Sequence, residues 1–302
     1  MSTVINGYRL TKELSNENAG MCTWGFAVKN GHEYFIKQFL NPKYPDSNGR
    51  LSPALVEKMR SAADAVFRKR KQFYDRLREC RTGNNVVVEE YFRSGNFYYA
   101  VSDRIRGPYL TVEQIAALPD EKKQVLIRAI LFNVMQFHEK NIVHSDLKPD
   151  NIMVRRTAEG YCTAKIIDFD AGFFSFDPPK EISGDQVYFP PEVLLYNMGK
   201  EAVISEKGDI FALGLLFHQY WCGVLPGFNR EEHRYASEAL LEGDTLQLSV
   251  HAMPENVSRL LARMLSIDPA DRPTAREAWE SLSEKIIRVL NTQFYELSDD
   301  DL

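Results

Sequence analysis

The feature that most constrains this fold is a change of texture at Gly107-Pro108. Before it, aromatic and β-branched residues crowd into short runs, "YRLTKEL" (8–14), "WGFAVKN" (24–30) and "HEYFIKQFL" (32–40), with "KNGHE" as a hairpin turn, and such runs read as strands. After it, apolar residues recur at helical spacing. The expectation is an α+β chain in two lobes: residues 1–104 β-rich, residues 105–302 mainly helical, with a cleft between them.

One helix interrupts the first lobe. Ser52 and Pro53 supply a hydroxyl cap and a fixed φ at the first helical position. The helix is predicted to run to about Cys80, with an apolar stripe of Val56, Met59, Ala63, Val66, Phe73 and Leu77. "VVVEEYF" (86–92) and "FYYAVSDRI" (97–105) then form a strand pair closed by "RSGN", for a five-stranded sheet in all. In the second lobe Thr111 and Gln114 match a capping box. Residues 120–141 form a periodic helix with Leu126, Ile130, Asn133 or Val134, and Phe137 on one side. Short strands are expected at 142–144, 151–155 and 164–168, an irregular segment over 169–192, and helices over 205–222, 231–242, 255–266 and 274–290. The last carries a capping box at Thr274 and Glu277.

Composition narrows the class. Hydrophobic content of 44% and charged content of 26% are ordinary for a globular protein, and a net charge of −5 argues against nucleic acid or an anionic membrane as partner. The four cysteines stand alone, so neither disulfides nor a zinc site are expected and a reducing, cytoplasmic setting fits. The amino terminus lacks a basic region followed by an apolar run, so no signal peptide is expected. The most apolar segment, 210–225, is interrupted by His218 and Gln219 and reads as a buried helix.

The stretch "IVHSDLKPDN" (142–151) gathers chemistry into one loop. Asp146 can accept a proton, Lys148 can offset growing negative charge, and Asn151 offers an amide oxygen that suits Mg²⁺. These are parts for moving a phosphoryl group to a hydroxyl.

Six segments in order resemble those of eukaryotic-type Ser/Thr protein kinases. "HSDLKPDN" is similar to the family's catalytic loop, with Ser145 where arginine is usual, and "IDFDAG" stands in place of its D-F-G element. "GDQVYFPPE" (184–192), "GDIFALG" (208–214), "DPADRPT" (268–274) and "YFIKQF" (34–39) complete the likeness, which covers nearly the whole chain. The resemblance implies ATP and Mg²⁺, or Mn²⁺, as cofactors and a protein substrate as partner; oligomeric state is open. By it, Asp146 is the base, Lys148 stands by the γ-phosphate, and Asn151 and Asp168 hold metal. Lys37 holds the α/β-phosphates, with Glu57 as its ion-pair candidate and Asp64, Asp75 and Glu79 as others. Gly20, Ser15 and Asn18 form a phosphate loop with only one glycine in register, and Asp103 joins the nucleotide-binding set. His144, Asp209, Glu192 and Arg272 are support, the last two as a buried ion pair.

Departures from the family bear on function. Ser145 removes the cation that meets a loop phosphate, which implies activity independent of activation-loop phosphorylation. Asp170 replaces a glycine and is expected to take a left-handed backbone or to add a third metal carboxylate; Asp185 replaces a threonine. Two other readings stay open: a catalytically silent member acting as nucleotide-binding switch or scaffold, and a small-molecule phosphotransferase.

Overall fold

The structure is a computed structural model that describes residues 3–17, 20–46, 52–81, 83–157 and 160–282. The part of the last expected helix beyond 282 and Asn18 lie outside the described residues. The chain divides into two units, Met1–Arg81 with Val86–Gly107, and Thr82–Asn85 with Pro108–Leu302.

The first unit is built on an antiparallel sheet of β1 (Val4–Ile5), β2 (Tyr8–Leu10), β3 (Cys22–Lys29), β4 (His32–Phe39), β5 (Val88–Ser94) and β6 (Phe97–Asp103), in the order β1-β2-β3-β4-β6-β5. Six strands pair where the sequence predicts five. The extra hairpin turns on Asn6 (φ 48°) and Gly7 (φ 83°), left-handed positions that Asn-Gly tolerates. Its arms are too short to show an alternating pattern. Asn30 (φ 54°) and Gly31 (φ 81°) make the β3–β4 turn in the same way. One sheet face buries Ile5, Tyr8, Leu10, Ala27, Ile36, Tyr99 and Val101.

The long helix α1 (Pro53–Arg78) starts where Ser52 Oγ accepts from the Leu55 backbone N–H at 3.3 Å. It is held to the sheet by aromatic contacts. Phe67 stacks on Tyr91 and Tyr98 at 5.1 and 5.6 Å, and Tyr74 meets Tyr91 edge-on at 5.2 Å. Such pairs contribute about 0.5–1.5 kcal/mol each beyond area burial. The predicted stripe is corrected: Met59 and Val66 are 42% and 53% exposed, while Val56, Ala63, Phe73, Tyr74 and Leu77 are buried. Burial follows the ring contacts with the sheet rather than the helical period alone: Tyr74, outside the predicted stripe, is buried against Tyr91.

In the second unit α2 (Val112–Ala116) precedes α3 (Asp120–His138), which packs against several neighbours and is buried on more than the single predicted side. Then follow β7 (Ile142–Val143), β8 (Ile152–Arg156), β9 (Cys162–Ile166) and β10 (Phe173–Phe174). A helix that the sequence reading did not predict, α4 (Pro191–Asn197), begins at the end of the irregular segment. Next come α5 (Lys207–Cys222), α6 (Ala236–Leu241), α7 (Glu255–Met264) and α8 (Ala275–Glu280). α6 starts five residues later than predicted because Glu238 Oε2 caps the backbone N–H groups of Arg234 and Tyr235, at 2.8 and 3.0 Å. No described helix is long and apolar enough to cross a membrane.

Two buried charges on α4 and α5 tie this unit together. Arg272 meets Glu192 through two bonds of 2.7 and 2.8 Å. Its remaining donors go to the carbonyls of Lys207, Ser266 and Ile267, at 3.1, 2.8 and 3.1 Å. All five guanidinium N–H donors therefore have acceptors, which is what makes a fully buried arginine tolerable.

Asp209, near the start of α5, is also buried. It accepts from the backbone N–H groups of His144 and Ser145 at 2.8 and 2.9 Å, and from His138 Nε2 at 3.1 Å. Burial alone raises its carboxyl, but the hydrogen bond and charge of His138 and the contacts with His144 outweigh that, so the net direction is downward.

Two outcomes follow. Arg272→Met strands the Glu192 carboxylate and costs ~3–5 kcal/mol in urea unfolding, whereas the double change Glu192→Met/Arg272→Met costs less than the single one. Asp209→Asn costs about 3 kcal/mol, because a buried amide cannot accept both loop N–H groups. The depressed carboxyl also sets a sign: its stabilisation is complete above about pH 4, the unfolded value, and is lost as pH falls through the lower folded value. Unfolding measured from pH 6 to pH 2 is therefore flatter at the acid end in Asp209→Asn.

Candidate active site

The loop after β7 is shaped from its backbone outward. Asp209 takes two consecutive N–H groups, and Ser145 turns left-handed at φ 68°, a conformation unusual for a non-glycine residue. His144 is buried and fixed at both nitrogens. Its Nε2 donates to the Ile167 carbonyl at 3.0 Å, and its Nδ1 accepts from the Asp146 N–H at 3.3 Å. The Ser145 side chain reaches the Ser183 carbonyl at 3.4 Å.

This turn presents Asp146, whose carboxylate is held by three donors. Asn151 Nδ2 donates to Oδ2 at 2.8 Å, Lys148 Nζ lies 3.1 Å from the same oxygen, and the Asp185 N–H donates to Oδ1 at 2.8 Å. Asn151 Nδ2 also donates to the Asp146 carbonyl at 2.7 Å, so the amide is oriented from two points. Its Oδ1 accepts no hydrogen bond among the described residues.

Asp168 reaches this neighbourhood through the β8–β9 ribbon. The register pairs Ile152 with Ile166, and the Ile167 N–H donates to the Asn151 carbonyl at 3.0 Å. Residues 151 and 168 therefore emerge at one end of the ribbon. Asp168 is exposed and left-handed, φ 61°. The left-handed turn expected at Asp170 falls on Asp168 instead; the Asp170 N–H lies 3.4 Å from Asp168 Oδ1. Among the described residues no group of three or more His, Cys, Asp or Glu is disposed to hold a metal, so Asp170 does not complete a carboxylate trio. What the unit does offer is a free amide oxygen beside an exposed carboxylate. Both are hard oxygen donors, a set that fits Mg²⁺ and leaves positions for water and phosphate.

Two residues that motif reading left without a role complete the loop. Gly184 has φ 153°, and a Cβ there would stand 2.7 Å from both the Ser145 carbonyl and Phe189 Cε1. Only glycine lets the chain pass that close. Asp185 follows, with Oδ1 accepting from the Val187 N–H at 3.0 Å and Oδ2 3.8 Å from Lys148 Nζ. The Gly-Asp pair was visible in the sequence, but nothing local says that it lies against Asp146. Nearby, burial chiefly, then the charges of Asp185 and Asp150, push the Tyr188 hydroxyl far above its usual range; it donates to Gln219 Oε1 at 2.7 Å.

In the first unit Lys37 sits half-buried on β4, opposite Trp24 and Ala100. Ser15 bridges Trp24 through bonds of 2.8 Å in each direction, and Gly20 is exposed at φ 55°. Two expected nucleotide-site residues are not brought to Lys37. Asp103 pairs with Tyr34 in the register, three residues from the Lys37–Ala100 pair, which places it on the opposite sheet face, and it contacts His32 at 2.9 Å. Glu57 is exposed and carries no ion pair among the described residues: one step past buried Val56, it is turned outward. Of the alternatives, Asp75 is taken by Lys71 at 2.9 Å and by Arg78, and Glu79 by Arg76 at 3.1 Å.

Comparison with known proteins shows the family of the chain. Residues 57–282 match the family described as protein kinase domain. A calcium-dependent protein kinase 3 of Oryza sativa is 34% identical over 159 residues, 51% of this chain and 27% of that one. Calcium-dependent protein kinase 27 of Arabidopsis thaliana is 29% identical over 197 residues, 63% and 37%. The bovine phosphorylase b kinase gamma catalytic chain, liver/testis isoform, is 26% identical over 240 residues, 76% and 55%. The chain thus spans no more than 55% of the length of these three relatives. The family match covers well over half of the chain, which belongs to the protein kinase domain family.

Proposed function

We propose that this chain is an ATP-dependent protein kinase that transfers the γ-phosphoryl group to serine or threonine hydroxyls of a protein substrate. The observation that carries the reading is the carboxylate of Asp146, oriented by Asn151 at 2.8 Å with the Lys148 ammonium 3.1 Å away. A fixed carboxylate can take the proton of an incoming hydroxyl, and a cation beside it can offset charge on the transferring oxygens. Asn151 and Asp168 would hold Mg²⁺; a bound Mg²⁺ neutralises phosphate charge. Lys37 is assigned to the α/β-phosphates, and Ser15 and Gly20 to the loop over them. A similar protein of Mus musculus, 24% identical over 200 residues, is named serine/threonine-protein kinase DCLK3, which supports the serine/threonine assignment, and the lone cysteines support a cytoplasmic setting.

Activity is proposed not to depend on phosphorylation of the activation segment. Where a cation would receive a loop phosphate, Ser145 offers a neutral hydroxyl already turned to the Ser183 carbonyl. A second reading, a nucleotide-binding switch without transfer, draws on Glu57, which stands exposed and without an ion pair among the described residues.

The test is incubation with γ-labelled ATP, Mg²⁺ and a mixed protein substrate. Asp146→Ala and Asp168→Ala are each expected to lower transfer by roughly 10³-fold, within the range for loss of an acid–base or charge-stabilising group. Label is expected on phosphoserine or phosphothreonine, and Ser175→Ala and Ser183→Ala are expected to remain active. Nucleotide binding with no transfer by the parent chain would favour the switch.

A further inference from the structure

We propose that Asp185 is a positioning residue for Lys148, its carboxylate setting where the lysine ammonium stands beside Asp146. Four observations meet on this residue. Its backbone N–H donates to Asp146 Oδ1 at 2.8 Å. Its Oδ1 accepts from the Val187 N–H at 3.0 Å, which fixes the side chain. That leaves Oδ2 3.8 Å from Lys148 Nζ. Gly184, with no room for a Cβ, brings this stretch of chain against the Ser145–Asp146 backbone in the first place.

Lys148 therefore stands between two carboxylates, with Asp146 Oδ2 at 3.1 Å and Asp185 Oδ2 at 3.8 Å. A lysine ammonium is a point charge on a flexible stem with no directional preference of its own. With one anion nearby it collapses onto that anion. With two it is held between them, which limits how far it can close on Asp146. Asp185 touches neither nucleotide nor acceptor in this account; it acts through Lys148.

The two oxygens have separable tasks. Asparagine keeps the amide oxygen that caps Val187 and removes the charge that faces Lys148; alanine removes both. The kinetic arm of the test rests on the phosphotransfer reading above, and the stability arm does not. In urea unfolding, a double-mutant cycle of Asp185→Asn with Lys148→Met (or Lys148→Gln should the first aggregate) is expected to show coupling of about threefold in the unfolding constant. That is modest because the pair is partly exposed. In phosphotransfer assays Asp185→Asn is expected to lower kcat about tenfold with KM for ATP within about twofold, the pattern of an interaction made in the transition state. Asp185→Ala should do the same, and Asp185→Glu should recover part. A cycle without coupling overturns the proposal. So does wild-type kcat in Asp185→Asn beside a destabilised Asp185→Ala, which would make the cap the residue's whole role. If the parent chain transfers no phosphate, the phosphotransfer reading fails and the cycle alone decides: coupling upholds the Asp185–Lys148 pair, and its absence overturns it.

Discussion

The buried carboxylate of Asp209 is the interaction on which the site depends. It receives the N–H groups of His144 and Ser145 in succession, and His138 from the end of α3. Two consecutive N–H groups aimed at one carboxylate require a turn, and Ser145 makes it with a left-handed backbone that would be strained alone. Charge-assisted hydrogen bonds from buried donors are strong enough to hold that strain. The residue after the turn is Asp146. Its position is thus set from behind by a helix buried over most of its length, rather than by the loop's own preferences.

The second unit places its charges in two regimes. Arg272 and Glu192 are removed from water, and every guanidinium donor is matched. This pair fixes the first turn of α4, and with it the end of the segment that begins at Gly184. Asp146, Lys148 and Asp185 remain partly exposed, at 16%, 21% and 36% of their side-chain surface. A saturated ion pair resists rearrangement, while partly hydrated groups can exchange partners when a phosphate arrives. Rigid charge beneath and adaptable charge above fit the phosphotransfer proposed for this loop.

The catalytic loop was legible because its parts are adjacent in the chain. Asp146, Lys148 and Asn151 fall within six residues, and no fold could scatter them. Asn151 and Asp168 are seventeen residues apart in sequence, and only the β8–β9 register makes them neighbours. Gly184 and Asp185 lie farther still; their contacts with Ser145 and Asp146 depend on how the whole segment folds back. Glu57 and Asp103 show the converse. Glu57 was a candidate by its distance along the chain and Asp103 by the resemblance, yet one helical step turned Glu57 outward and an odd strand offset put Asp103 on the sheet face opposite Lys37.

Local chemistry also decided the element boundaries that could be read. Ser52-Pro53 opens α1, Thr111 with Gln114 opens α2, and Thr274 with Glu277 opens α8, because each cap needs only residues within one turn. By itself, then, the sequence determined the α+β division, the starts of the helices with a side-chain cap in the first turn and the identity of the loop that carries the chemistry, all properties of neighbours along the chain. Tertiary structure alone decided which face of α1 is buried and which carboxylate flanks Lys148. Those depend on contacts between residues tens of positions apart, and no short-range pattern encodes them.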